Sequence, residues 1–516
     1  MAGTLVKLYS HKDIERSQDL ECDVCIIGSG AGGATLAAGL TKDGFDVIML
    51  EAGQHRWRKD FNMDEGEAFQ NLYQDGGLRT TSDLAISILQ GKCVGGSTTI
   101  NWTTCFRTPE RILNLWQTKH GATELTSEEL KPHFETVEAR LNVNSWPKES
   151  INPNNKVIID GCETLGWEAS TLRRNVKGCA NSGYCGMGCP VDGKQGMLVT
   201  YIPDALKHGL RLYTNVRAER IEHSVTQAEQ VIAQVWNPQT NRFTGKTLRI
   251  RANIIVSSAG AINGPALFLR SGLNNTGLVG KRTFLHPVVG ISATFEHAIN
   301  GFYGAPQSAS SHHFVDRGTD KMGFFIEAAP THPMMAATAL SVFGKDQQHF
   351  MKDLAHSSFL IALHVDGVLD EDNGGTVSLR SDGRVQVDYP ISSALKEGFF
   401  ASHQALCELA LAAGAKKVST LHPTPLILRS SNELPTLSQK TYGALEHGIF
   451  TAHQMGGLQL GKDPATSVVN PHLQHHQLKN LFVVDGSVFP SSLGVNPSLT
   501  IYALAHRARS AVKNML

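Results

Sequence analysis

No apolar run in the 516-residue sequence approaches the roughly 20 residues that a membrane-crossing helix needs, so membrane association is not expected. Charge of one sign is also lacking. There are 47 Lys and Arg against 47 Asp and Glu, with no long block of either, which removes the electrostatic reason to expect nucleic acid or an anionic surface as partner. The opening, MAGTLVKLYSHKDIERSQDLE, lacks the charged-then-apolar layout of a secretory leader, so a reducing cytoplasm is the expected compartment. Cysteine is scarce and odd in number. Nine thiols in so long a chain argue against a disulfide framework and for groups that are buried, reactive or metal-bound. With 41% hydrophobic residues, the chain reads as a soluble globular enzyme of two or three domains.

What the sequence does have is glycine in telling places. In CDVCIIGSGAGGATLAAGLTKDGFDVIMLEAG an apolar strand (24–27) meets a glycine turn, an alanine-rich helix and a second strand (47–50). Gly28, Gly30 and Gly33 fall at G-x-G-x-x-G spacing between strand and helix. That spacing allows a tight turn, close backbone approach to a pyrophosphate and close helix packing, with the helix N-terminus facing the phosphates. Glu51, 23 positions after Gly28, stands where an acid would accept a hydrogen bond from a ribose hydroxyl. This fingerprint leaves NAD and FAD both open. LRIRANIIVSSAGAINGPALFLRSG repeats the strand-turn-helix layout, and NLFVVDGSVFPSS with NPSLTIYALAHRARSAV adds another strand and helix.

The fold expected is therefore α/β, α+β overall: a Rossmann-like nucleotide-binding domain with an inserted antiparallel-sheet substrate domain. Residues 1–295 and 450–516 would form the first, with a cysteine-containing excursion at about 150–195, and 296–449 the second. In the insert, GTVSLRSDGRVQVDY alternates like paired strands, Asp382-Gly383 suits a hairpin turn, and one helix should end at Gly414.

Three stretches carry a resemblance: GKCVGGSTTINWTTCFRTP (91–109), GAINGPALFLRSG (260–272), and the long segment from Thr451 to Ala508 that holds AHQMG and GVNP. Together they resemble the glucose-methanol-choline (GMC) oxidoreductase family, and the last two spellings are similar to those of long-chain (fatty) alcohol oxidases and sterol oxidases. The resemblance implies FAD, with Gly95, Gly96 and Asn101 beside the flavin ring. The histidine that tethers flavin covalently in some relatives falls at Ile100 here, so FAD is expected to be noncovalent. It further implies that the Ala218 backbone holds the adenine, and that Asp485 lies near the ribityl chain and pyrophosphate. Pro497 would begin a helix whose N-terminus points at the flavin.

For the chemistry, His453 would take the hydroxyl proton, since imidazole titrates near neutrality, and the resemblance implies that Asn496 binds the substrate oxygen beside it. Residue by residue, Asn496 before Pro497 could instead be a helix N-cap, and Asp485 a strand-end cap. Glu327 is a candidate further acid or base, as in sterol oxidases, and His286 in FLHPVVG reads as structural. Cys179, Cys185 and Cys189, with five and then three residues between them, leave structural thiols, an iron-sulfur cluster and zinc open. The expected reaction is oxidation of a primary, hydrophobic or long-chain alcohol to the aldehyde, with oxygen or another electron acceptor. The alternatives are a sterol or sugar dehydrogenase, or a flavin-containing hydroxynitrile-type lyase.

Overall fold

The computed structural model of the protein describes residues 7–340 and 342–516. The fingerprint folds as its spacing predicts: strand Gln18–Ile27, helix Ala31–Lys42, strand Val47–Glu51. Every residue of the second strand is buried, which suits a parallel strand covered on both faces. Among the described residues, a first sheet runs in the order Leu8–Tyr9, Arg211–Thr214, Val47–Glu51, Gln18–Ile27, Arg242–Ser257, Ala228–Asn237, Val216–His223. Leu481–Val483 pairs in parallel with Arg242–Ser257, so segments near residues 20, 50, 250 and 480 share one layer. Helix Ser498–Lys513 packs on helix Ala31–Lys42, and Arg509 grips Asp43 at that contact with a 2.5 Å Nη2–Oδ1 hydrogen bond.

The second sheet runs Ile427–Leu428, Lys417–Thr420, Val288–Thr294, Ser357–His364, Phe324–Ala329, Ala309–Ser311, Ser170–Thr171. Ile449–Thr451 and Ile86–Ile88 attach at its side. Residues 296–449 thus supply only part of this sheet; the rest is recruited from stretches on either side. The hairpin Gly375–Leu379 and Val385–Asp388 turns at Gly383, whose φ of 78° is the left-handed conformation an Asp-Gly turn uses. It pairs not with the large sheet but with Lys281–Phe284, which in turn pairs with Met455–Gly456. Helix Ser393–Ala412 ends just before Gly414 (φ 92°). No helix among the described residues is long and apolar enough to cross a membrane.

Two central strands of this sheet, Phe324–Ala329 and Ser357–His364, are buried along their whole length. The two-residue period of a strand divides their side chains. Phe324, Ile326, Ala328, Leu360 and Ala362 join Phe399, Leu406 and Leu409 of the covering helix in one core. Phe325, Ile361 and Leu363 belong to a separate apolar group on the other face. Glu327 is in step with Phe325, and that register places a carboxyl among apolar neighbours, opposite Ile361.

Candidate active site

A cavity of about 390 Å³ runs from the fingerprint turn and strand Val216–His223, between the two sheets, to Glu327, His453 and Asn496. Its first end is shaped by absent side chains. At Gly28 (φ 105°) a Cβ would lie 2.2 Å from the Ser258 carbonyl oxygen, and at Gly33 one would lie 2.1 Å from that of Gly28. Gly30 differs: its Cβ would meet only the Gly96 Cα, at 4.0 Å, so the backbone there faces open space. Helix Ala31–Lys42 starts with no side-chain cap and no acid in its first turn, leaving N–H donors for an anion.

Arg79, Lys92, Arg217 and Arg270 line the same cavity, cations that the sequence reading did not single out. Burial lowers the pKa of Arg79, Lys92 and Arg270, a cost that a bound pyrophosphate would relieve. Gly96, Asn101, Ala218 and Pro497 line the cavity too, and the Asn101 Oδ1 is buried without a protein partner. Gly95 (φ 89°) starts the turn that presents them, its Cβ position 2.5 Å from the Thr99 Oγ1. A long groove with a bare helix terminus at one end, cations along it and unpartnered polar atoms further in fits FAD. Ile100, also a lining residue, gives no nucleophile for a covalent tether.

Glu51 and Asp485 reach this groove with their oxygens already engaged. Glu51 Oε2 accepts from the Ser29 N–H (3.1 Å) and hydroxyl (2.5 Å), and Oε1 from the Gly53 N–H (2.7 Å). Burial raises its pKa, and those bonds oppose the rise. Asp485 accepts from the Ser487 N–H (2.8 Å) and hydroxyl and from the Gly260 N–H (2.8 Å), and so caps a short turn and ties the strand end to the 258–262 loop.

At the other end, Asn496 is not the N-cap of helix Ser498–Lys513; Pro497 takes that position. Its Nδ2 stands 3.3 Å from His453 Nε2 and 3.5 Å from Glu327 Oε2, while Oδ1 is buried without a protein partner. Glu327 Oε2 also accepts from Gln307 Nε2 at 2.5 Å, and Oε1 has no protein partner. Burial pushes the Glu327 carboxyl up to about 8, against the pull of Asn496 and Gln307. Burial likewise holds His453 down, to about 4. This imidazole is half-accessible only because it borders the cavity; protein encloses it otherwise. Val288, Ile361, Leu363, Phe450, Trp102 and Met335 supply apolar lining.

Behind His453 stands His286, which the sequence reading assigns a purely structural part. The small sheet brings them near each other: Phe284 pairs with Met455, and His286 and His453 lie two residues beyond that pair on their respective segments. Their Nδ1 atoms are 3.1 Å apart.

Among the described residues no three His, Cys, Asp or Glu side chains are placed to hold one metal ion, so the structure lends no support to an iron-sulfur or zinc reading of the turn with Cys179, Cys185 and Cys189. Each sulfur has its own neighbour: Asn181 Oδ1 for Cys179 (3.8 Å), Arg174 Nη2 for Cys185 (3.9 Å), the Lys194 N–H for Cys189 (3.5 Å). The turn carries Lys194 instead. Its buried ammonium donates to the carbonyls of Thr99, Asn101 (3.1 Å) and Cys185 (2.6 Å), and so braces the glycine-rich segment under the cavity. Desolvation brings this amine down to about 8.

A long-chain-alcohol oxidase of Arabidopsis thaliana is 29% identical over 507 residues, covering 94% of this chain and 68% of its own. Among solved structures, pyridoxine 4-oxidase from Mesorbium loti superposes with a TM-score of 0.72 at 18% identity, over 96% of this chain and 99% of its own. Formate oxidase from Aspergillus oryzae, a structure described by its FAD, reaches 0.71 at 15% identity over 96% and 99%. Two segments, residues 69–288 and 372–505, match GMC oxidoreductase, and the chain belongs to that family.

Proposed function

We propose that this FAD-dependent oxidoreductase of CH–OH donors takes a primary, hydrophobic or long-chain alcohol and returns the aldehyde, holding its FAD noncovalently. The observation that carries the reading is the meeting of His453 Nε2 and Asn496 Nδ2, 3.3 Å apart, beside Glu327 at an apolar cavity end. The long-chain-alcohol oxidase relatives support the substrate class. Residues 1–295 and 450–516 hold the cofactor in this reading, and 296–449, with the strands it recruits, roofs the substrate.

Gly28, Gly30, Gly33 and the first turn of helix Ala31–Lys42 would hold the pyrophosphate, with Glu51 and Asp485 shaping the turns around it. Ala218 would lie at the adenine, and Gly95, Gly96, Asn101 and Pro497 at the ring. Bound FAD supplies the two-electron acceptor for the hydride leaving the carbinol carbon. His453 and Asn496 bind the hydroxyl oxygen and orient that carbon, and the apolar lining excludes water. The hydroxyl proton needs an acceptor, and two titratable side chains border the oxygen site, His453 and Glu327. Oxygen or another acceptor would take the electrons afterwards.

The test is an anaerobic titration of the yellow holoenzyme with alcohols of increasing chain length, followed by flavin absorbance. Bleaching that becomes more efficient with longer chains is expected. An oxidised spectrum throughout, with every alcohol, would remove the redox reading and favour a lyase.

A further inference from the structure

We infer that His286 is a positioning residue for this reaction: it fixes His453 in the tautomer that carries its proton on Nε2, beside Asn496. The inference deepens the proposed alcohol oxidation and rests on it for its meaning, though not for its test.

One neighbour of His286 can only donate. The backbone N–H of Gly494 points at His286 Nε2 at 3.1 Å, so that nitrogen must offer its lone pair. A neutral imidazole has one N–H, which therefore sits on His286 Nδ1. The ring stays neutral because it is fully buried and because His453, His364 and Arg111 stand near it and disfavour a further positive charge. Its Nδ1–H then meets His453 Nδ1 at 3.1 Å, and His453 must accept there. His453, neutral as well, keeps its single proton on Nε2.

The arrangement is held from behind. His286 has a φ of 43°, a left-handed conformation that a side chain of this size rarely adopts. Asp366 stabilises it by accepting from the backbone N–H of Leu285 (2.8 Å) and of His286 itself (3.1 Å), with the Tyr389 hydroxyl (2.6 Å) as third donor. The Asp366 carbonyl accepts from the Ser492 N–H at 3.2 Å, joining the same residue to the segment that carries Gly494 and Asn496. Phe325 meets the His286 ring edge to face, with centroids 5.4 Å apart.

The consequence changes what His453 does. Its Nε2–H then faces the Asn496 Nδ2, which likewise only donates, at 3.3 Å, a donor pair that is relieved when both hydrogens point at a common acceptor. What they share is an acceptor from outside, the oxygen of the alcohol. With that lone pair unavailable, the hydroxyl proton passes to the Glu327 carboxylate, which becomes a carboxylic acid. The carbon-oxygen double bond forms as the carbinol C–H breaks, and bound FAD would take up the electron pair released as hydride. The two N–H donors stabilise the charge that builds on oxygen.

Nitrogen NMR of holoenzyme labelled with ¹⁵N-histidine reads the proton directly, His453 being the signals missing from a His453→Gln protein. The expected spectrum has a protonated Nε2 and a bare Nδ1 at neutral pH. A proton on Nδ1 overturns the inference, whether or not any alcohol is oxidised, and so separates its failure from failure of the proposed function. His286→Asn keeps a donor towards His453 and should keep the tautomer and most of the rate. His286→Asp presents an acceptor, should draw the proton to His453 Nδ1, and should lower kcat on the order of 10²-fold with a smaller change in KM, the scale of losing one charge-stabilising donor. Equal losses in both variants with the tautomer unchanged would reduce His286 to packing. Should the Asp variant not fold, the wild-type spectrum decides alone.

Discussion

Glu327 shows what a single residue is worth at this site. Raising a carboxyl from its ordinary 4.5 to about 8 costs on the order of 1.4 kcal/mol per pKa unit when it ionises, a few kcal/mol in all. A buried Phe or Ile contributes about 1.5–3 kcal/mol, so neighbours such as Phe325 and Ile361 on its face offset that. The strand can carry a carboxyl there without losing the fold. As proton acceptor Glu327 works only when ionised, so kcat/KM should rise with pH through an inflection near 8. Glu327→Gln should abolish that rise and lower kcat about 10²–10⁴-fold, as stopped-flow flavin reduction across pH would show. Asn496→Ala, which removes one of the two donors at the oxygen, should cost about 10²–10³-fold with little effect on flavin content.

At the level of elements, the fingerprint glycines do different jobs, and substitution separates them. Gly33→Ala forces a Cβ against the Gly28 carbonyl, so it should destabilise the protein itself. Gly30→Val meets little protein but fills the groove, so the chain should fold, with unchanged far-ultraviolet circular dichroism, and purify colourless. This part of the molecule is legible in the sequence because it is local: strand, turn, helix and second strand lie within 34 residues, Gln18 to Glu51. Much of the rest is set by pairing between distant segments. His286 and His453 meet through the Phe284–Met455 register, 171 positions apart in the chain, and no pattern near FLHPVVG announces it. Arg79, Lys92, Arg217 and Arg270 are similarly scattered, and only the folded groove gathers them. Cys179, Cys185 and Cys189 show the opposite case: their close spacing leaves several readings open, and only the fold gives each sulfur a separate neighbour and directs Lys194 to backbone carbonyls.

For the whole molecule, burial of neutral histidines sets the acid limit of stability. Desolvation holds His312, His332, His364 and His453 down to about 4 and His447 to about 3. A group depressed on folding stabilises the native state above its unfolded pKa, near 6.5, and loses that contribution as pH falls through the folded value. Glu327 has the opposite sign: raised on folding, it stabilises below its unfolded value and loses that contribution as pH rises through about 8. Thermal melting of the holoenzyme should therefore peak between about pH 6.5 and 8 and drop steeply between 6.5 and 4. A melting temperature flat down to pH 4 would mean that these rings are solvated.

Leu481–Val483 and helix Ser498–Lys513 complete a layer that begins at Leu8, and Asn496 completes the reacting end. A growing polypeptide leaving the ribosome therefore carries an unfinished nucleotide pocket until residues 481–513 have been made. Flavin can lodge only after that segment is in place, so the protein should be isolable without its cofactor from cells short of flavin.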